Sequence, residues 1–241
     1  MNYRLALIGH PVGHSLSQHY FQQKFTTQHI DGNYTLIDLE NLDTLRQIVE
    51  QQQLTGFNVT APHKQTILTL CDSLSTEADT VKAVNTVKIE NGKLIGHNTD
   101  IEGFATALQQ LLKPHHTQAL VLGNGGASKA VCYALKNRLN IPYTIVSRNG
   151  EGINYADVNE QTLLAHTIIV NCTTLGMVPN TNTFPQLPYQ HITNKHLLFD
   201  LIYAPETTQF LRFGQLRGAT TSNGLTMLYA QAEAAWRFWQ H

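Results

Sequence analysis

The sequence predicts an α/β protein in two domains, and three observations carry that prediction. Short apolar runs of strand length alternate with helix-length segments through the first part of the chain. Pro114-His115-His116-Thr117 breaks that pattern. A fresh strand, glycine-rich turn, helix and strand begin directly after the break.

In order, residues 3 to 9 read as a buried first strand that ends in a Gly/Pro loop. A helical stretch follows at Gln18 to Gln28, then a strand at Tyr34 to Leu39, an amphipathic helix at Leu42 to Gln52 and a strand at Gly56 to Thr60. The segment Thr86 to Ile95 reads as a hairpin turning on Asn91-Gly92, and a helix follows at Ile101 to Leu112. Beyond the break, strands are predicted at Gln118 to Leu122, Thr144 to Ser147, Thr167 to Asn171 and Leu197 to Leu201. A last helix at Met227 to Gln240 places Leu228, Ala232, Ala235 and Trp239 on one face, which should return to the first half. Residues 1–101 with 224–241 are therefore assigned to one domain with a mostly parallel sheet, and 102–223 to the other.

With 241 residues, 42% hydrophobic and 14% charged, the chain can bury a sizeable core. A net charge of -1 and a pI near 6.9 give no reason to expect nucleic acid or an acidic membrane surface. Apolar runs such as Ala119 to Leu122 and His166 to Val170 are far short of a membrane span, and Met1 to Leu5 shows no signal-peptide profile. Cys71, Cys132 and Cys172 are odd in number and lack CxxC pairing, which fits a reducing cytoplasm and argues against a zinc site. The twelve His residues show no metal-ligand spacing, so no metal is expected.

Gly123-Asn124-Gly125-Gly126-Ala127-Ser128 sits where a strand meets a helix, the position of a dinucleotide fingerprint. Glycines permit the tight turn and the close approach of backbone to a pyrophosphate facing the helix N-terminus. Ser128 departs from the Gly or Ala of that pattern, and a glycine-rich turn without a ligand is the alternative. After the next strand comes Ser147-Arg148-Asn149, with no acid until Glu151. Arginine there suits a 2'-phosphate, so the reading leans to NADP; a solvated Arg148 is the alternative.

Four polar clusters interrupt apolar segments outside that stretch. Ser15 and Ser17 follow the turn Gly9-His10-Pro11-Val12-Gly13-His14 and can present two hydroxyls to one carboxylate, or serve as helix caps. Asn58-Val59-Thr60-Ala61-Pro62-His63-Lys64 closes a buried strand, where α/β proteins bind ligands, although Lys64 alone reads as a surface lysine. Ala83-Val84-Asn85-Thr86 and Gly96-His97-Asn98-Thr99-Asp100 complete the set, and Asp100 alone can be an N-cap. Together they suit hydride reduction of a ring ketone on a small polyhydroxylated acid. The alkoxide formed needs a proton donor, a role for Lys64 balanced by Asp100, while neutral Asn, Thr and Ser groups hold hydroxyls.

These motifs, in this order, resemble the shikimate dehydrogenase family. The likeness extends through Asn171-Cys172-Thr173-Thr174-Leu175-Gly176-Met177, Asp200-Leu201-Ile202-Tyr203-x-Pro205 and Asn223-Gly224-Leu225-x-Met227-Leu228-x-x-Gln231. The resemblance implies a substrate-binding α/β domain and a Rossmann-like NADP domain with the active site in the cleft between them. It implies NADPH-dependent reduction of 3-dehydroshikimate to shikimate by a cytoplasmic monomer or homodimer. Lys64 and Asp100 would be the catalytic pair. Ser15 and Ser17 would hold the substrate carboxylate, and Thr60, Asn85 and Gln231 ring hydroxyls, with Asn58 and Tyr203 nearby. Gly123, Asn124, Gly125, Gly126, Ala127, Ser147, Arg148, Thr173, Gly224 and Met227 would border NADP.

Three departures from the family pattern stand out. The neighbours of Arg148 differ from the usual Asn and Thr. Cys172 replaces an alanine. Between Arg148 and Thr167 too few residues remain for the usual helix, since Gly150, Gly152, Asn154 and Asp157 discourage one; a trimmed cofactor domain, a more open adenine-ribose pocket and weaker NADP affinity are expected. Two rivals stay open: a quinate/shikimate dehydrogenase using NAD, and a shikimate-binding sensor without turnover.

Overall fold

Burial on both faces sets the centre of the first sheet. In the computed structural model, which describes residues 2–13, 15–148 and 150–240, β1 (Tyr3–Gly9) is buried from Leu5 onward. His14 and Asn149, part of the motif readings above, lie outside the described residues. β1 pairs in parallel with β2 (Gly32–Asp38) and β3 (Gly56–Val59). β3 then runs antiparallel to β5 (Thr86–Glu90), which forms a hairpin with β6 (Lys93–His97). Asn91 (φ 52°) and Gly92 (φ 74°) both adopt the left-handed region that a two-residue hairpin requires. A two-residue β4 (Ser73–Leu74) lies on the far edge, giving the order β2-β1-β3-β5-β6-β4.

Alternation along β1 divides two apolar layers. Ala6 and Ile8 join Phe57 and Val59 and the helix α2 (Leu45–Gln51) through Leu45 and Val49. Leu5 and Leu7 face Phe21 and Phe25 of α1 (Ser17–Thr27). The last helix, α8 (Leu225–Gln240), sends Ala232, Ala235, Trp236 and Trp239 into that second layer, as its periodicity predicts, while Leu228 is half-buried. Trp239 Nε1 donates to the Val87 carbonyl at 2.9 Å. It lies so close to Gly56 that a Cβ there would stand 2.5 Å from Nε1. One compact unit thus comprises Met1–Thr99 with Gln231–His241, and the other Asp100–Ala230.

The second unit holds a five-stranded, wholly parallel sheet, in the order β11 (Thr220–Ser222), β10 (Leu197–Asp200), β9 (Ile168–Asn171), β7 (Ala119–Leu122), β8 (Tyr143–Val146). This is a doubly wound arrangement in which connections diverge on either side of β7, the strand at which such sheets bind ligands. Its helices are α4 (Asp100–Gln109), α5 (Gly126–Tyr133), extended by a π turn at Ala134–Arg138, α6 (Glu160–Ala165) and α7 (Gln209–Leu216). β7, β9 and β10 are buried throughout, as continuous apolar runs in parallel sheets require.

Between Arg148 and β9, where the sequence leaves too few residues for the usual helix, the structure still forms a short one. A 3₁₀ turn at Tyr155–Asp157 and the six-residue α6 both form there. The residues taken as helix breakers cap and turn instead: Asn154 and Asp157 form a reciprocal capping box, and Asn159 accepts from Thr162 N to start α6. The sequence reading also passed over β4, α7, β11 and α3 (Thr76–Val81). β4 and β11 offer no apolar run, and α3 is a six-residue helix started by the Ser75 cap. No helix of the described residues is long and apolar enough to cross a membrane.

Trp239→Ala should destabilise the first unit by about 3–5 kcal/mol through the void it leaves. Trp239→Phe should cost about 1–3 kcal/mol, mainly by leaving the Val87 carbonyl unpaired. Denaturant midpoints of the two variants check this; equal, small losses would mean that the helix does not anchor the layer.

Candidate active site

In the first unit a buried polar network gathers residues from β2, β3, β5, α4's leading segment and α8. Tyr34 donates to Asn58 Oδ1 at 2.8 Å and is hydrogen-bonded to Ser17. Asn58 Nδ2 donates to the Asn85 carbonyl (3.2 Å) and Thr86 Oγ1 (3.0 Å). Asn85 Oδ1 accepts from Thr99 N at 2.7 Å and from Thr86 Oγ1 at 3.1 Å, while its Nδ2 donates to Thr99 Oγ1 at 3.0 Å. Gln231 Oε1 takes two long contacts of 3.4 Å, from Asn85 Nδ2 and Thr99 Oγ1. Ser17, Asn58, Asn85, Thr86 and Thr99 are all buried. Four of the expected substrate residues, Ser17, Asn58, Asn85 and Gln231, therefore share one network. The two donations from Asn58 use both of its amide protons, so it positions its neighbours. The weak 3.4 Å contacts at Gln231 are the ones that a ligand hydroxyl can replace at little cost.

Ser15 is half-buried and its Oγ accepts the Ser17 N–H at 3.2 Å, leaving its own O–H to donate. The loop before it is tied to the end of β2, where Asp38 accepts from Val12 N (3.2 Å) and pairs with His10 Nδ1 (2.6 Å). That bond raises the His10 pKa and lowers that of Asp38. Thr60, half-buried, follows β3, its N–H bonded to the Ile8 carbonyl. Gly9 is obligatory beside it, because a Cβ would lie 2.3 Å from Thr60 Cγ2 and 2.9 Å from the Ala61 carbonyl. Lys64, half-buried, is held by its carbonyl, which accepts from Val84 N at 2.8 Å. In the second unit, Asp100 is buried and is the first residue of α4 rather than its cap, where free helix N–H groups favour an anion.

The second unit builds a cradle at the end of β7. Gly123 has φ 99°, and a Cβ there would be 3.0 Å from Thr173 Cγ2, so the turns after β7 and β9 touch. A Cβ on Gly125 would meet nothing within 4 Å. The fold itself therefore places no steric demand on that glycine, and the space beside it is open. Gly125 caps α5 without any side-chain hydrogen bond, so the first-turn N–H groups of Gly126 and Ala127 have no side-chain cap. Ser128 is buried and donates to the Gly125 carbonyl at 2.8 Å, which closes the turn in place of the usual small residue. These features fit a dinucleotide pyrophosphate. Arg148 is exposed just beyond β8, and Ser147 is buried with its hydroxyl donated to the Glu151 carbonyl at 2.7 Å. Thr173 donates to Asn171 Oδ1 at 2.7 Å. Met227 is buried, and Gly224 is dictated by packing, since a Cβ would stand 2.1 Å from the Leu201 carbonyl.

A buried carboxylate that the sequence reading left without a role joins the loops after β9 and β10. Asp200, fully buried, accepts from Asn171 Nδ2 (3.0 Å), Ile202 N (3.1 Å) and Thr208 Oγ1 (2.6 Å). Burial pushes its pKa up to about 6 against those three donors. The loop it holds carries Tyr203, whose hydroxyl pKa is raised by burial. Tyr34, Thr86 and Thr99 were likewise not singled out as site residues; Thr86 and Thr99 sat inside the motifs, while Tyr34 gave no signal beyond an aromatic in a strand. Desolvation pushes the Cys172 thiol well above its ordinary value, so it stays protonated and inert.

Residues 7–87 match the family described as "Shikimate dehydrogenase substrate binding domain". A shikimate dehydrogenase (NADP(+)) of Methanococcus maripaludis strain C7 is 38% identical, over 98% of this chain and 90% of its own length. A Thermus thermophilus shikimate 5-dehydrogenase solved with NADP(H) and shikimate superposes with a TM-score of 0.87 at 32% identity, over 98% of this chain and 93% of that one. The Listeria monocytogenes enzyme solved with shikimate and NAD gives a TM-score of 0.86 at 26% identity, over all of this chain and 92% of that one.

The Asp200 carboxyl titrates near 3.8 when exposed and near 6 when buried. Between about pH 4 and pH 6 the folded chain therefore keeps a proton that the unfolded chain has lost, and stability falls as pH rises through that window. The loss should reach roughly 3 kcal/mol. Asp200→Asn should flatten it in unfolding curves taken across the window; identical slopes for both proteins would mean that this carboxyl does not titrate there.

Proposed function

The chain belongs to the shikimate dehydrogenase family, and from that premise we propose how its residues carry out the reversible NADPH-dependent reduction of 3-dehydroshikimate to shikimate, a step of aromatic amino-acid biosynthesis. One observation carries the reading: Asn58, Asn85 and Gln231, scattered over 173 positions, meet Ser17 in a single buried network of neutral donors and acceptors. Such a surface recognises hydroxyls without adding charge, which suits a polyhydroxylated ring.

Ser15 and Ser17 bind the substrate carboxylate, with the Ser15 O–H available as donor. Thr60, Asn85 and Gln231 bind ring hydroxyls. Asn58 fixes the Asn85 carbonyl, and Tyr203 contributes from the loop after β10. Lys64 donates a proton to the ketone oxygen as negative charge develops on it, and Asp100 balances the ammonium. In the oxidative direction the same pair removes the proton from the alcohol.

NADPH, when bound, supplies the hydride. Gly123, Asn124, Gly125, Gly126 and Ala127 would hold its pyrophosphate and Arg148 its ribose 2'-phosphate, while Ser147, whose hydroxyl and N–H are both bonded within the turn, would shape the loop that carries Arg148; Thr173, Gly224 and Met227 would border its nicotinamide end. The three free cysteines accord with a cytoplasmic protein.

Lys64→Ala should lower kcat by roughly two to four orders of magnitude while KM for shikimate changes little. Ser15→Ala should mainly raise KM, because its contact is made in ground and transition states alike. Absorbance at 340 nm with shikimate and NADP follows both, and a near-normal kcat for Lys64→Ala would remove that lysine from the mechanism.

A further inference from the structure

The turn after β8 presents a carboxylate to the glycine-rich loop. Asn124 Nδ2 donates to Glu151 Oε2 at 3.3 Å. Glu151 is three residues beyond Arg148, the group suited to a 2'-phosphate, and among the described residues it forms no ion pair with that arginine or any other cation. Its position is built rather than incidental. Gly150 (φ 81°) and Gly152 (φ 80°) bracket it in conformations that other residues resist, and a Cβ on Gly152 would stand 2.1 Å from the Ile145 carbonyl. Ser147 donates to the Glu151 carbonyl, and Ile153 bonds back along β8, its N–H to the Ile145 carbonyl at 2.9 Å and its carbonyl to Ser147 N at 3.0 Å. Ser147 and Ile153 thus hold the turn to the strand edge, and from it the Glu151 carboxylate reaches Asn124.

A 2'-phosphate carries between one and a half and two negative charges at neutral pH. A carboxylate beside the residues that receive it repels that charge, whereas the same carboxylate accepts a hydrogen bond from a ribose 2'-hydroxyl. Arg148 and Glu151 therefore act in opposite directions on the one atom group that distinguishes the two nicotinamide cofactors. We infer that Glu151 is a specificity-determining residue which narrows the preference of this chain for NADPH over NADH. The inference rests on the assignment of the glycine-rich loop and Arg148 to the cofactor.

The test is binding, independent of turnover. Isothermal titration calorimetry with adenosine 2',5'-bisphosphate and with ADP is run on the wild type and on Glu151→Gln. The amide can still accept from Asn124, so only the charge is removed. Glu151→Gln should tighten the bisphosphate roughly tenfold and leave ADP within about twofold, and the gain should shrink at high salt because the carboxylate is exposed. The ratio of kcat/KM for NADPH to that for NADH should rise by a similar factor. If the variant changes neither nucleotide, or both alike, the role of Glu151 falls while the cofactor site stands. If the wild type binds neither nucleotide, the cofactor assignment itself falls, and the inference with it.

Discussion

The amide of Asn85 is the constraint on which the first unit's chemistry depends. Its carbonyl oxygen accepts the Thr99 backbone N–H and the Thr86 hydroxyl, and its nitrogen donates to Thr99 and Gln231. One side chain thereby fixes the end of the β5–β6 hairpin, the residue before α4 and the inner face of α8. The side chains joined by these bonds are neutral, so the bonds among them carry no desolvation cost of a buried charge. Removing one amide would strand several partners at once, which is why such networks are rigid.

The second unit solves a different problem with the same economy. There the ligand groups are backbone N–H groups, and the protein's task is to leave room for a phosphate. Gly123 and Gly125 illustrate two separate reasons for a missing side chain. The first is required by left-handed backbone and the nearby Thr173; the second is required by nothing in the fold. Behind this cradle, Asp200 ties the segments after β9 and β10 together, so that Thr173 and Tyr203 are carried by loops with a shared buried anchor.

The strands and the helix-to-sheet alternation were legible in the sequence wherever apolar periodicity was strong. β1, β7, β9 and β10 are unbroken apolar runs, and the Asn91-Gly92 hairpin announces itself by turn chemistry. Elements that owe their existence to neighbours were not legible. β11 is Thr-Thr-Ser and becomes a strand only because β10 offers it an edge. α6 was misread because residues that oppose a helix interior are good at its border. Within the site, Asn58 and Asn85 were singled out from their motifs, but Tyr34, which links Ser17 to Asn58, has no local signature at all. Its role exists only in three dimensions.

The partition of the chain has a consequence for how it is made. The second unit is one continuous stretch, Asp100–Ala230, whereas the first needs its opening strand and also Gln231–His241. On the ribosome, the later-synthesised parallel sheet can close while the earlier one still lacks the helix that covers Leu5, Phe21 and Phe25. The nascent chain therefore carries an unsealed aromatic face for the whole time needed to translate the inserted unit. That interval, rather than either unit's final stability, is when chaperone capture and aggregation compete with folding.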